Sequence, residues 1–109
     1  IIGDVKGKCC IIVDDICDTA GTLCHAADAL KEQGASSVFA YITHPIFSGK
    51  ADQNISSSSI DEIIVTDTIS LSKKIIDTGK IRQITVAQML AETLRRIDNK
   101  ESVSSLFIE

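Results

Sequence analysis

The chain has 109 residues, 44% of them hydrophobic and 24% charged, which is enough apolar material for one domain around one core and too much for a disordered segment. A net charge of −4 and an aromatic content of only 4%, without Trp, exclude an electrostatic grip on nucleic acid or anionic lipid and a base-stacking platform.

Along the chain, the first apolar run covers residues 9–13 and is continuously hydrophobic, which predicts a central strand covered on both faces. Leu23, Ala26, Ala27 and Leu30 recur at helical spacing within residues 22–33, and Gly34 supplies the stop. Residues 38–43 read as a second strand that His44 and Pro45 break. A short helix or irregular turn is expected over residues 48–55, and the serines at 56–59 are expected in a surface loop. Residues 63–66 and 81–86 give the third and fourth strands. Val86, Met89, Leu90, Leu94 and Ile97 then lay an apolar stripe along a helix over residues 86–97, and residues 100–109 show no period. Strands alternating with helices predict an α/β fold, a parallel sheet flanked by helices on both faces, with ligands at the carboxyl ends of the strands.

The four cysteines, Cys9, Cys10, Cys17 and Cys24, form no Cys-x-x-Cys pair. Cys9 and Cys10 are adjacent and point to opposite faces of a strand, and Cys24 and His25 diverge by about 100° on a helix, which does not suit zinc. Free buried thiols in a reducing compartment are expected. No apolar run approaches the ~20 residues that span a bilayer. Asp4, Lys6 and Lys8 interrupt the opening residues where a signal peptide would be apolar. The expectation is a cytoplasmic protein with no membrane partner.

The segment IIVDDICDTAGT, residues 11–22, carries the chemistry. A buried strand ends in Asp14 and Asp15, and Asp18, Thr19, Ala20, Gly21 and Thr22 lead directly into a helix. Small side chains let backbone N–H groups approach a phosphate, the threonine hydroxyls donate further hydrogen bonds, and the helix N-terminus adds partial positive charge. The paired carboxylates would repel an anion, so they suit the vicinal hydroxyls of a sugar or a magnesium ion bridged through water. A phosphorylated sugar satisfies both halves. Each residue alone would serve as a helix cap or a turn, and only the full spacing points to a ligand. A phospho-acceptor receiver domain also places adjacent acids after its first strand. It would need a lysine after a later strand, where Ala87, Gln88 and Met89 stand instead.

IIVDDICDTAGT resembles the phosphoribosyl-binding signature of type I phosphoribosyltransferase-like proteins. THPIFSG at residues 43–49, VTDTI at 65–69, MLAETLRRI at 89–97 and ESVSSLF at 101–107 narrow the resemblance to the ribose-phosphate pyrophosphokinase family. The resemblance implies a type I phosphoribosyltransferase-like fold and an enzyme that transfers the pyrophosphoryl group of ATP to ribose 5-phosphate with magnesium. Asp18, Thr19, Ala20, Gly21 and Thr22 would hold the 5-phosphate, and Asp14 and Asp15 the ribose hydroxyls. Ser102, Ser104 and Phe107 resemble a regulatory phosphate or ADP site at a subunit interface. A homo-oligomer, a hexamer in the family, is implied as well. Another type I phosphoribosyltransferase and a non-catalytic regulatory relative are the alternatives. The first would share the signature without THPIFSG or ESVSSLF, and the second would be expected to lose part of the acids or of the loop.

Family members are much longer, and the resemblance covers their carboxyl-terminal part. Residues 1–109 are therefore expected to be one carboxyl-terminal domain fragment with an incomplete sheet, Ile1 not being a natural start. It would lack the ATP-binding half, the metal-binding His and Asp residues and the basic loop, hold no catalytic or metal-ligating residue of its own, and be inactive alone. His44 is expected to be structural, and Asp67 and Thr68 to shape a loop near the site. Arg95 and Arg96 would be solvated or subunit-facing, with His25 and Lys31 on the polar side of the first helix.

Overall fold

The computed structural model describes residues 3–98. Four strands, β1 (Cys9–Cys17), β2 (Ser37–Pro45), β3 (Glu62–Thr66) and β4 (Ile81–Ile84), pair in parallel in the order β1-β2-β3-β4. The helices α1 (Gly21–Glu32), α2 (Ala51–Ser57), α3 (Lys73–Ile76) and α4 (Ala87–Asp98) alternate with them. The fold is thus α/β, with a parallel sheet flanked by helices.

The core lies on one side of the sheet. Val38, Ala40 and Ile42 of β2 and Ile63 and Val65 of β3 are buried, and the register places Cys10, Ile12 and Asp14 of β1 on the same face. Leu23, Cys24 and Ala27 of α1, Ala51 and Ile55 of α2 and Ile75 of α3 complete this core. The other face presents Val13, Tyr41 and Ile84 to solvent, Val13 at 75% exposure.

This corrects two expectations. Among the described residues, β1 is an edge strand rather than a central one, and helices do not cover both faces of the sheet. The cause is topological. The strand order advances in one direction, and right-handed crossovers then place each successive helix on the same face. The apolar run of residues 9–13 marks a strand correctly, but its odd members, Ile11 and Val13, stay exposed.

Element ends shift for local reasons. β2 runs through His44 to Pro45, because a terminal strand position does not need the missing proline N–H. α2 includes Ser56 and Ser57, and Ser58 is buried, so the serine run is more than a surface loop. Ser58 and Ser59 donate hydroxyl hydrogen bonds to the Asp28 carboxylate at 3.2 and 2.6 Å, and the Ser59 N–H adds another at 2.9 Å. Those bonds, the Ser59 hydroxyl first, hold Asp28 below its ordinary pKa. The one-turn α3 lay outside the sequence expectations. Four residues are too few to show a period, and its anchor is the buried Ile75.

Asp61 ties three elements together. Its carboxylate accepts the Val38 N–H at 2.7 Å and pairs with Lys31 at 2.9 Å, while its own N–H donates to the Val38 carbonyl at 2.9 Å. The Val38 amide first, and then Lys31, hold the Asp61 carboxyl below its usual range. In α4, Glu92 receives both Arg95 and Arg96, whose hydrogen bonds draw its carboxyl down to about 2. The apolar stripe of α4, with Leu90, Leu94 and Ile97, is exposed. No described helix is long and apolar enough to cross a membrane.

Candidate functional site

Only Asp18, Thr19 and Ala20 separate the end of β1 from the start of α1. Reversing the chain in so few residues puts Ala20 in the left-handed region, at φ 65 and ψ 7, though it is buried and not glycine. That conformation costs an L-residue about 1–2 kcal/mol, a strain that packing must offset. α1 then begins without a side-chain cap and without an acid in its first turn, so its leading N–H groups and the positive end of its dipole are left to whatever occupies the space before them.

That space is a cleft of about 360 Å³, bounded by Asp14 and Ile16 of β1 and by the turn from Asp18 to Thr22. A Cβ on Gly21 would come 3.7 Å from the Thr19 hydroxyl, an ordinary contact, so neither crowding at Cβ nor the backbone requires the glycine. No Lys or Arg lines the cleft. An anion here would be received by backbone amides and hydroxyls, and a polyol by the Asp14 carboxylate.

The structure brings Asp14, Asp18, Thr19, Ala20, Gly21 and Thr22 around this single cleft. Asp15 stands apart, because β1 continues to Cys17 and successive strand side chains alternate. Asp14 shares the core face with Ile12 and lines the cleft, whereas Asp15 is not among the lining residues. Their link is local, the Asp15 N–H donating to Asp14 Oδ1 at 2.8 Å. Ser102, Ser104 and Phe107 lie outside the described residues.

Cys17 is buried at the back of the cleft. Burial, and then the nearby Cys24 thiol, push its pKa up to about 11, so it carries its proton at neutral pH and is no nucleophile. Cys24 is raised for the same first reason. All four cysteines are free, and the expectation of buried thiols fails for Cys9, which is exposed, and holds only in part for Cys10. No group of three or more His, Cys, Asp or Glu residues able to hold a metal ion occurs among the described residues.

The carboxyl ends of β2 and β3 close on one another. His44 Nδ1 lies 3.2 Å from the Thr68 hydroxyl, which donates to the Thr43 carbonyl at 3.0 Å. Asp67 accepts the Val86 N–H at 3.0 Å, and the Thr85 hydroxyl, followed by that amide, holds its carboxyl low. These hydrogen bonds tie together the chain at the carboxyl ends of β2, β3 and β4, and neither His44, Asp67 nor Thr68 lines the cleft.

Sequence reading missed the segment that supports the cleft from behind. Phe47 N–H donates to the Cys17 carbonyl at 3.1 Å, Ser48 N–H to the Asp18 carbonyl at 3.0 Å, and Asn54 Nδ2 to the Thr19 carbonyl at 2.8 Å. The Ser48 hydroxyl also donates to the Asp18 carboxylate. The sequence marked this segment only through the THPIFSG resemblance at 43–49 and as a short helix or turn over 48–55, and neither shows that it holds the turn after β1.

A family model described as the phosphoribosyl synthetase-associated domain matches residues 1–108. The ribose-phosphate pyrophosphokinase of Shewanella oneidensis is 60% identical over 107 residues, covering 98% of this chain and 34% of that protein. That of Xanthomonas axonopodis pv. citri is 61% identical over 109 residues, covering 100% and 34%. The crystal structure of phosphoribosylpyrophosphate synthetase from Mycobacterium smegmatis matches with a TM-score of 0.80 at 36% identity, over 91% of this chain and 33% of that one. The chain therefore spans about a third of the length of the curated relatives it matches. The matching model is described as an associated domain, which corrects the carboxyl-terminal placement expected from the motifs.

Proposed function

The chain belongs to the phosphoribosyl synthetase-associated domain family, and from that premise we propose that it is the sugar-phosphate-holding segment of a ribose-phosphate pyrophosphokinase. The observation that carries this reading is the uncapped N-terminus of α1 facing a cleft walled by Thr19, Gly21, Thr22 and Asp14. The 5-phosphate of ribose 5-phosphate would sit against the turn, where N–H groups, two hydroxyls and the helix dipole meet it. Asp14 would accept hydrogen bonds from ring hydroxyls, with Asp15 reaching the sugar only from the strand's other side.

In the whole enzyme the pyrophosphoryl group leaves ATP for the sugar and AMP departs. Magnesium, when bound, supplies positive charge to the phosphoryl oxygens. Asp14 would reach such an ion through water, since the described residues offer no multi-ligand cage. The cleft contributes two carboxylates and no cation, so the charge of the transferring group has to be met from outside its lining. Residues 1–109 alone would accordingly bind the sugar phosphate weakly and transfer nothing. The regulatory site at Ser102, Ser104 and Phe107, homo-oligomeric assembly and a cytoplasmic location belong to the same reading.

Titrating the chain with ribose 5-phosphate while following the backbone amide resonances tests it. The expected result is that Thr19, Gly21 and Thr22 shift and that Gly21→Val abolishes the shifts. Shifts centred on another surface would refute the reading.

A further inference from the structure

The hydrogen bonds from Phe47, Ser48 and Asn54 take up three successive carbonyl groups, those of Cys17, Asp18 and Thr19. A trans peptide unit is planar, and its C=O and N–H point in opposite directions. Holding a carbonyl against the 47–54 segment therefore turns the following N–H away from that segment, none of whose residues lines the cleft. The Cys17 and Asp18 carbonyls orient the N–H groups of Asp18 and Thr19 in this way. The third unit is held by its carbonyl, because the Thr19 oxygen rests on the Asn54 side-chain amide. Fixing that plane sets the left-handed turn at Ala20 and, through it, the direction in which Gly21 and Thr22 leave.

The first two braces come from backbone amides, which no substitution short of proline removes. The third depends on one side chain. Asn54 is half-buried in α2, a separate element from the loop it holds, and its amide stands 4.0 Å from where a Gly21 Cβ would be.

We propose that Asn54 is a positioning residue of the sugar-phosphate cleft, holding the Thr19 carbonyl so that the amides around Ala20 are already aimed when phosphate arrives. The proposal rests on the sugar-phosphate reading above. Asn54 touches no ligand in this arrangement, and its effect is confined to the phosphate end of the site. Asn54→Leu keeps the size of the side chain and its neutrality but removes the donor. It should therefore weaken inorganic phosphate and ribose 5-phosphate by one common factor. Asp14→Asn, at the hydroxyl end, should weaken ribose 5-phosphate alone.

The test is titration of the 109-residue chain and its variants with inorganic phosphate and with ribose 5-phosphate, followed by amide resonances. Ser57→Ala serves as the control, because its hydroxyl stays within α2, on the Gln53 and Asn54 carbonyls. The expected result is an increase in dissociation constant of about tenfold for both ligands in Asn54→Leu, the scale of one lost hydrogen bond. The ligand-free resonances of Ala20, Gly21 and Thr22 should move, while Ser57→Ala stays at the unaltered values. Unchanged affinity in Asn54→Leu, or equal weakening in Ser57→Ala, overturns the proposal while leaving the sugar-phosphate reading standing. Failure of the unaltered chain to shift with either ligand refutes that reading and the role of Asn54 together.

Discussion

Ile63 and Val65 on one face of the sheet are 0% and 1% exposed, whereas Val13 and Ile84 on the other are 75% and 49% exposed. All four are aliphatic strand residues of one sheet, and a residue's preference for the interior cannot account for the difference. What separates the faces is the sequence of crossovers, which stacks the helices on one side. The covered face also carries the site, because the helix that follows β1 must start where β1 ends and must pack on that side. The cleft therefore inherits a rigid floor, while the open face contributes neither core nor chemistry among the described residues.

The most severe test of this contrast exchanges one aliphatic residue on each face. Ile63→Ala should destabilise the chain by about 2–5 kcal/mol, the cost of a cavity in a packed core. Val13→Ala should cost less than about 1 kcal/mol, mostly strand preference. Urea denaturation checks both, and similar losses would mean that the open face is covered after all.

A smaller effect distinguishes the site from the floor beneath it. Gly21→Val should weaken ribose 5-phosphate by about 1.5–3 kcal/mol for each charge-assisted hydrogen bond it displaces. The melting temperature should hardly move, because a Cβ there makes only ordinary contacts. Calorimetric titration beside a thermal melt reads the two quantities separately, and a collapse of stability would make the glycine structural.

The Asp61 junction on the covered face comes next. Asp61→Ala leaves the fully buried Val38 without its acceptor and should cost about 1–3 kcal/mol. Asp61 and Asp28 have folded-state pKa values below their ordinary 3.8. Their contribution is thus fully present above that ordinary value and is lost as pH falls through the lower folded values. Melting temperatures from pH 7 down to pH 2.5 should decline in that acid window, with less decline in Asp61→Ala. A flat profile would show that these carboxylates are not coupled to folding.

The smallest expected effect belongs to the open face. Its exposed edge and apolar residues favour self-association at high concentration, and Val13→Lys should lower light scattering without changing the melt. Undiminished scattering would place the association elsewhere, the apolar stripe of α4 being the next surface to alter.

Most of the element order was legible in the sequence, for reasons that differ by element. The period of Leu23, Ala27 and Leu30 and the stop at Gly34 marked α1 to within a residue. The apolar runs marked four strands because a parallel sheet needs β-branched residues in short blocks. The four-residue α3 was invisible, since one turn carries no period. Asp14, Asp18, Thr19, Gly21 and Thr22 could be grouped in advance because they are neighbours in sequence that lead into a helix. Asp15 was grouped with them by adjacency, and the alternation of the strand separates it. Asn54 could not be found from the sequence, because it lies 35 residues from Thr19 and its only role visible here is a hydrogen bond to that backbone.

The sequence by itself determined the alternation of strands and helices and the composition of the turn after β1. Both follow from short-range physics, namely side-chain periodicity, the conformational freedom of small residues and the unpaired amides of a helix start. Only the tertiary structure decided which side of β1 is buried, that β1 lies at the edge of the four described strands, and which groups hold the Cys17, Asp18 and Thr19 carbonyls. Those outcomes depend on the order in which strands pair and on contacts between residues about thirty apart in sequence. Local preferences cannot encode them, because the same aliphatic strand fits the centre or the edge of a sheet equally well until its neighbours are in place.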